Sequence, residues 1–327
     1  ILGFTGPIES LTPAMAASAE LAFKEASDSG SLLNGRKISV LRADSTCIDS
    51  AAATTAAEKL VSSGVVAIMG ADCSGVTGAI AINVAVPNGV TMISPSATSP
   101  GLTTLADNGF FFRTAPSDAR GGQILADITK DRKIKNLAIS YTNNDYGKGL
   151  ADIYEAAVKA HGIRVTISAA HEDGKGDYSA EVATLASAGG DAVAVIGYLD
   201  QGGKGIIKGS IDSGSFDTFI LSDGMIGDSL IDAFGEELNK SFGSLPGSTG
   251  KGAGTFTNVA KAAGINSSSP YTGESYDAAA LIVLAIQAGG KADRSTIRNN
   301  IISVANEPGK KIYPGELKKA LDLLAKG

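Results

Sequence analysis

Apolar and polar positions alternate in blocks along the chain. Short apolar runs are followed by longer stretches in which apolar residues recur every three or four positions. The first spacing predicts buried strands, the second amphipathic helices. Residues 37–41 read as a strand, 50–63 as a helix, 65–69 as a strand, 76–86 as a helix and 90–93 as a strand. The rhythm breaks over 113–117 and restarts with a helix at 121–131 and a strand at 137–141. Helices over 147–160, 178–187 and 203–210 then alternate with strands over 164–168, 192–196 and 218–221. Such alternation argues for an α/β protein with doubly wound parallel sheets, covered by helices on both faces.

Residues 241–254 carry Gly, Ser, Pro and Thr throughout and read as a loop or crossover. Only helices follow, at 255–263, 274–288, 295–303 and 314–325. They need a sheet to cover, and the natural one belongs to residues 1–115. The chain is therefore expected to return to its first lobe. Lobe one is then 1–116 plus 249–327, and lobe two is 117–248. The start at Ile1-Leu2-Gly3-Phe4 resembles the end of a first strand, and the finish follows a helix, so both ends read as cut. The given chain shows no signal peptide.

Composition narrows the class. With 327 residues, 43% apolar and only 19% charged, the chain can bury a large core, and disorder is excluded. A net charge of −6 lacks the basic stripe of a nucleic-acid binder. The longest apolar run, 278–286, has nine residues, far short of the ~20 that span a bilayer. A soluble globular protein is expected.

The chemistry available is limited. Cys47 and Cys73 are the only cysteines, and each follows a predicted strand. Read alone, they are either a disulfide or two unrelated core thiols. His161 closes a predicted helix and His171 lies in a polar run, so both read as surface residues. HExxH, GxSxG, Walker and GxGxxG patterns are absent, as is zinc-ligand spacing. Gly202-Gly203-Lys204-Gly205 reads as a loop leading into a helix. No metal or cofactor is expected.

In open parallel sheets, ligands bind beyond the carboxyl ends of the strands. There the chain offers Thr5-Gly6-Pro7-Ile8-Glu9, Asp72-Cys73-Ser74-Gly75, Ser94-Pro95-Ser96-Ala97-Thr98, Asn143-Asn144-Asp145-Tyr146, Tyr198-Leu199-Asp200-Gln201 and Ser222-Asp223-Gly224-Met225. These loops are rich in hydroxyls, glycine, tyrosine and isolated aspartates. Ser74 opens a helix, either as a cap or as a carboxylate contact. Thr98 lies in a run held extended by two prolines. Asp200 and Asp223 are candidates for an ammonium group, and Tyr146 for stacking.

Taken together, these runs resemble the substrate-binding proteins of ABC transporters, of the branched-chain amino-acid-binding type. The residues that carry the resemblance are Thr5-Gly6-Pro7, Cys47, Cys73-Ser74, Ile93 to Thr98 with Leu102-Thr103, Phe112-Arg113-Thr114, Asp145 to Gly149, Asp223-Gly224 and Ser269-Pro270-Tyr271 with Tyr276. It covers nearly the whole chain and implies a type I periplasmic binding protein fold, with two lobes hinged around a cleft. It implies a disulfide between Cys47 and Cys73. It implies that Ser74 and Thr98, with backbone groups of Ser96 and Ala97, hold a ligand carboxylate. It implies that Asp223, where the family usually has Glu, takes the α-ammonium, and that Tyr146 and Tyr271 line the pocket. It also implies a periplasmic monomer that presents a small amino acid or related carboxylate to a membrane permease. Two departures bear on the ligand. Leu11 stands where the family has an aromatic gate, and Leu199 or Asp200 stands where it has a tyrosine. With Glu9 nearby, a polar or cationic ligand side chain becomes as plausible as an aliphatic one. An enzyme on the same architecture would need a nucleotide fingerprint or a triad; a ligand-sensing domain would share all of these residues.

Overall fold

The computed structural model describes residues 1–326. The chain opens with helix α1 (Thr12–Asp28), which Pro13 starts in its first turn. Helix α2 (Ser50–Ser62) begins where Asp49 accepts the N–H groups of Ala51 and Ala52, both at 2.9 Å. Strand β1 (Ala67–Met69) leads into α3 (Ser74–Ile80), which passes into a π-helical turn over Ala81–Ala85. Strands β2 (Thr91–Ser94) and β3 (Phe111–Arg113) complete a parallel sheet in the order β1-β2-β3.

The second sheet begins after α4 (Asp118–Asp131). Strand β4 (Asn136–Thr142), α5 (Asp145–Ala160), β5 (Arg164–His171), α6 (Ser179–Ala188), β6 (Ala192–Ile196), α7 (Gly202–Ser213) and β7 (Phe219–Leu221) follow in strict alternation. After α8 (Asp228–Phe234), the two-residue strand β8 (Phe242–Gly243) closes a parallel sheet in the order β5-β4-β6-β7-β8. All five residues of β6 are buried, as the central strand of a sheet covered on both faces requires. The order reverses between β4 and β6, so the loops after them part and leave a crevice at their carboxyl ends.

Helices α9 (Lys251–Ala262), α10 (Thr272–Gly289), α11 (Arg294–Ala305) and α12 (Leu317–Leu324) carry no strand between them. Helix α10 is apolar nearly all round and is buried. It packs on α1, β1, β2, α11 and α12. One core unites Ala19, Ala22 and Ala26 of α1 with Ile93 of β2, Ile282 and Val283 of α10, Ile297 of α11 and Leu321 of α12. Full burial of a large aliphatic side chain contributes about 1.5–3 kcal/mol. That core is what draws the last four helices onto the first sheet.

Several expectations change, among them the loop expected over 241–254, which holds β8 and the first turn of α9. Residues 37–41 form no strand, because a strand needs a ladder. The isolated Leu2–Asp44 bridge comes only three residues later, and Val40 and Leu41 are left exposed. Phe111–Arg113, which carries no expected element and runs into the break expected over 113–117, is β3. His171 is not on the surface: β5 runs three residues further than its apolar pattern and buries the ring at 1% exposure. His161 does sit at the end of α5, before Gly162 in the left-handed region. The glycine run at 202 lies within the first turn of α7.

Candidate functional site

The loops after β1 and β2 form one wall. Cys73 is the N-cap residue of α3 and is bonded to Cys47. Ser74, the next residue, does not cap its own helix. Its hydroxyl accepts the Ser99 N–H at 3.1 Å and so ties the two loops together. Asp72 is buried beneath them and accepts from Gly3 N–H, Ser45 Oγ and Cys73 N–H. Burial raises its pKa above the usual carboxylate value, while these donors pull it back. Ser96 Oγ donates to the Asp72 carbonyl at 3.0 Å, and Ala97 N–H donates to Ser94 Oγ at 3.0 Å. Arg113 clamps the loop from behind, donating to the carbonyls of Ala97 and Ser99 at 3.0 and 2.9 Å. Thr98 is buried, and its hydroxyl makes no hydrogen bond of good geometry.

The loops after β4, β6 and β7 form the facing wall. Asn144 caps α5 through the N–H groups of Tyr146 and Gly147 and so sets the Tyr146 ring. The Tyr146 hydroxyl donates to Asp223 Oδ1 at 2.7 Å. Ser222 Oγ lies 2.9 Å from the same hydroxyl oxygen, and Gly224 N–H donates to it at 3.1 Å. A side chain at Gly224 would run into the Gly197 carbonyl, so this close approach needs glycine. Tyr271 precedes α10 with φ +60°, a left-handed conformation that costs a non-glycine residue about 1–2 kcal/mol. Its hydroxyl lands on Asp223 Oδ2 at 2.5 Å. Tyr198 stacks on Tyr146 with ring centroids 5.2 Å apart.

Asp223 is therefore a buried carboxylate held by two phenols, and burial raises its pKa. Asp118, at the start of α4, is also buried with one oxygen unpartnered. Its pKa is pushed well up, first by burial and then by Asp223, against a smaller pull from Thr98 and Arg113. Among the described residues, no lysine, arginine or histidine pairs with either carboxylate within 4 Å. Two buried carboxylates without a cation make this a place where positive charge is stabilised.

The space between the walls is small, about 30 Å³. Its lining includes Ile8, Leu11, Met15, Asp72, Ser74, Ser96, Tyr146, Tyr198, Asp223 and Tyr271. Of the residues expected from the sequence, Leu11, Ser74, Ser96, Tyr146, Asp223 and Tyr271 line it. Ala97 and Thr98, also expected there, are buried and do not line it. Glu9 is exposed outside it. Asp200 departs from expectation. It does not line the cavity, because Ser10 N–H and Ser229 Oγ hold its carboxylate, at 2.9 and 2.8 Å. The wall position expected for Leu199 or Asp200 is taken by Tyr198, two residues past β6, so the aromatic surface is present. Ile8, Met15, Asp72 and Asp118 were not singled out. Asp72 had the signal of following a strand; Asp118 had only that of opening a helix.

The model of the periplasmic binding protein family matches residues 1–309. The chain belongs to this family. Leu/Ile/Val-binding protein homolog 3 of Brucella melitensis is 32% identical over 204 residues, 62% of this chain and 54% of that protein. The leucine-, isoleucine-, valine-, threonine- and alanine-binding protein of Pseudomonas aeruginosa is 28% identical over 244 residues, 74% of this chain and 64% of that protein. The matches thus span between about half and two thirds of these relatives' lengths. A crystal structure of a leucine-binding protein, LivK, from Thermotoga maritima superposes with a TM-score of 0.80, at 23% identity over 92% of this chain and 85% of that one. The fold is that of the type I binding proteins. The family and these relatives are binding proteins, not enzymes. In this family member, the Cys47–Cys73 disulfide lies beside the loop that carries Ser74.

Proposed function

We propose that this binding protein takes a small amino acid or related zwitterion between two lobes and presents it, outside the cytoplasm, to the membrane permease of an ABC importer. The lobes are residues 1–116 with 249–327, and residues 117–248. The observation that carries the reading is Asp223, a buried carboxylate with two phenolic donors and no cation, facing a wall of hydroxyls. On this reading the ammonium group sits on Asp223, between Tyr146 and Tyr271. The carboxylate meets the hydroxyls of Ser74 and Thr98, on the loop shaped by Ser96 and Ala97. The ligand's poles then touch different lobes, so the ligand binds the closed form better than the open one and shifts the population toward it.

The names of the relatives, which speak of leucine, isoleucine, valine, threonine and alanine, set the range to test. Ile8, Leu11 and Met15 on one side offer the ligand's side chain an apolar wall. Titration calorimetry with these five amino acids, and with benzoate as a carboxylate lacking the ammonium, tests the assignment. Micromolar binding of at least one amino acid, lost in the Ser74→Ala, Thr98→Val double variant, is expected. Retained binding in that variant means that the ligand is oriented otherwise.

A further inference from the structure

The Asp200 carboxylate joins the two lobes outside the ligand cavity. Its Oδ2 accepts the Ser10 N–H at 2.9 Å, and its own N–H donates to the Pro7 carbonyl at 3.0 Å. Pro7 and Ser10 belong to the loop before α1, whereas Asp200 lies between β6 and α7. Ser229, in the first turn of α8, donates to Asp200 Oδ1 at 2.8 Å, and its oxygen lies 3.4 Å from Ser10 Oγ. Beside this cluster the backbones are tight. A side chain on Gly227 would meet Leu199 at 2.6 Å and Leu11 at 3.2 Å.

Helix α1 explains why a carboxylate is stabilised here. It has 17 residues, no acidic residue in its first turn, and a leucine, Leu11, in the cap position with no side-chain bond. Its N-terminal N–H groups therefore lack a negative partner within their own lobe. Asp200 accepts the N–H of Ser10, two residues before the helix, and so brings a carboxylate from the other lobe to that end. Ser229 fixes its rotamer, so little of that side chain's freedom remains to be lost when the lobes meet.

We infer that Asp200 is a positioning residue, a latch that biases the clamp toward closure without touching the ligand. The inference rests on the proposed two-lobe clamp. It separates two kinds of contact between the lobes. The Tyr271–Asp223 bond lies in the cavity, where a ligand ammonium competes for the same carboxylate. The Asp200–Ser10 bond lies outside it, so it persists with any ligand and adds the same increment for each. A charge-assisted bond that is partly exposed changes the closed-to-open ratio by about tenfold.

The test uses the whole chain with one dye on each lobe, at cysteines introduced as Glu58→Cys and Lys130→Cys, both exposed positions. Single-molecule energy transfer reads the closed fraction before and after addition of leucine, isoleucine, valine, threonine and alanine. In Asp200→Ala the closed-to-open ratio without amino acid is expected to fall about tenfold. Asp200→Asn, which keeps an acceptor, should fall less, and Ser229→Ala should fall in the same direction. Every amino acid that the wild type binds should weaken by the same factor, through faster dissociation. Equal closed fractions in wild type and Asp200→Ala, with ligand-driven closure intact, overturn the latch and leave the clamp. Losses that differ from one amino acid to the next overturn it too, by making Asp200 a ligand contact. A wild-type distribution that none of the five amino acids shifts removes the clamp, and the latch with it.

Discussion

Asp223 concentrates the binding argument in one side chain. Replacing it by alanine removes a charge-assisted contact worth about 1.5–3 kcal/mol, so affinity for a bound amino acid should fall more than tenfold in calorimetry while the unfolding temperature holds. Its raised pKa also fixes the direction of a pH effect. Ligand ammonium needs the carboxylate ionised, so affinity should fall as pH drops through that raised pKa, at a higher pH than an ordinary carboxylate would give. Tyr271→Phe removes a donor to the ionised form and should move the fall higher still; an unmoved midpoint would take Tyr271 out of the site. His171 gives the opposite lesson. Its polar neighbours Glu172, Asp173 and Gly174 make it look exposed, yet β5 pairs as far as His171, opposite Thr142. The buried ring bonds Ser140 Oγ through Nδ1 at 2.8 Å, and burial lowers its pKa to about 4, against a smaller opposing effect of Glu181. The folded pKa lies below the unfolded value of 6.5, so the unfolded chain binds the extra proton first. This contribution, about 3 kcal/mol, is complete above pH 6.5 and is lost as pH falls toward 4. Asp277, exposed at its surface but raised to about 6 by partial desolvation of its carboxyl and then by Glu274, slopes the other way. The comparison that isolates His171 is therefore the pH slope of urea stability in wild type against His171→Gln. The variant should lack the fall between pH 6.5 and 4, whatever its absolute stability.

At the scale of elements, most of the alternation was legible. The apolar run at 192–196 is β6, and the helix expected at 147–160 is α5, begun two residues earlier by the Asn144 cap. What could not be read locally depends on partners. Whether 37–41 forms a strand depends on what lies beside it, and β3 is visible only once β2 stands next to it. Helix α1 was passed over because its buried face is built largely from alanine (Ala16, Ala19, Ala22, Ala26), a weak apolar signal that suits close packing on α10. The site loops were legible because they follow strands, and that rule pointed to Ser74, Thr98, Tyr146 and Asp223 together. It failed at Asp200 by two residues, since a register that decides which side chain faces the cleft is set by the turn after Ile196. The Cys47–Cys73 pair ties the loop before α2 to the N-cap of α3. Closing a loop with a sequence separation of 26 stabilises by about 3 kcal/mol. A Cys47→Ser, Cys73→Ser variant should lose about that much in chemical denaturation. It should also bind more weakly, because Ser74 follows directly on the bridge; unchanged affinity would show that the loop holds its shape without the bond.

At the scale of the whole molecule, the two walls are separate structures, one built on the first sheet and one largely on the second, with Tyr271 reaching across from the start of α10. This arrangement predicts how mutations combine. In a rigid pocket, removing a contact at each end of a ligand gives losses that add, because the two ends do not sense each other. In a clamp, each contact also helps to offset the free-energy cost of closure, and closure is lost once. Ser74→Ala and Asp223→Ala each weaken the reason to close. After the first, the molecule already favours the open form with one end of the ligand held, so the second removes less. The double variant should then lose less affinity than the summed single losses, with a coupling of about 1 kcal/mol or more. Scattering should show the matching change: compaction with a bound amino acid in wild type, reduced in each single variant and absent in the double. Strict additivity, with the same compaction in every variant that still binds, would mean that the walls do not move against each other. The ligand would then enter a space that is preformed, and about 30 Å³ is too little for one.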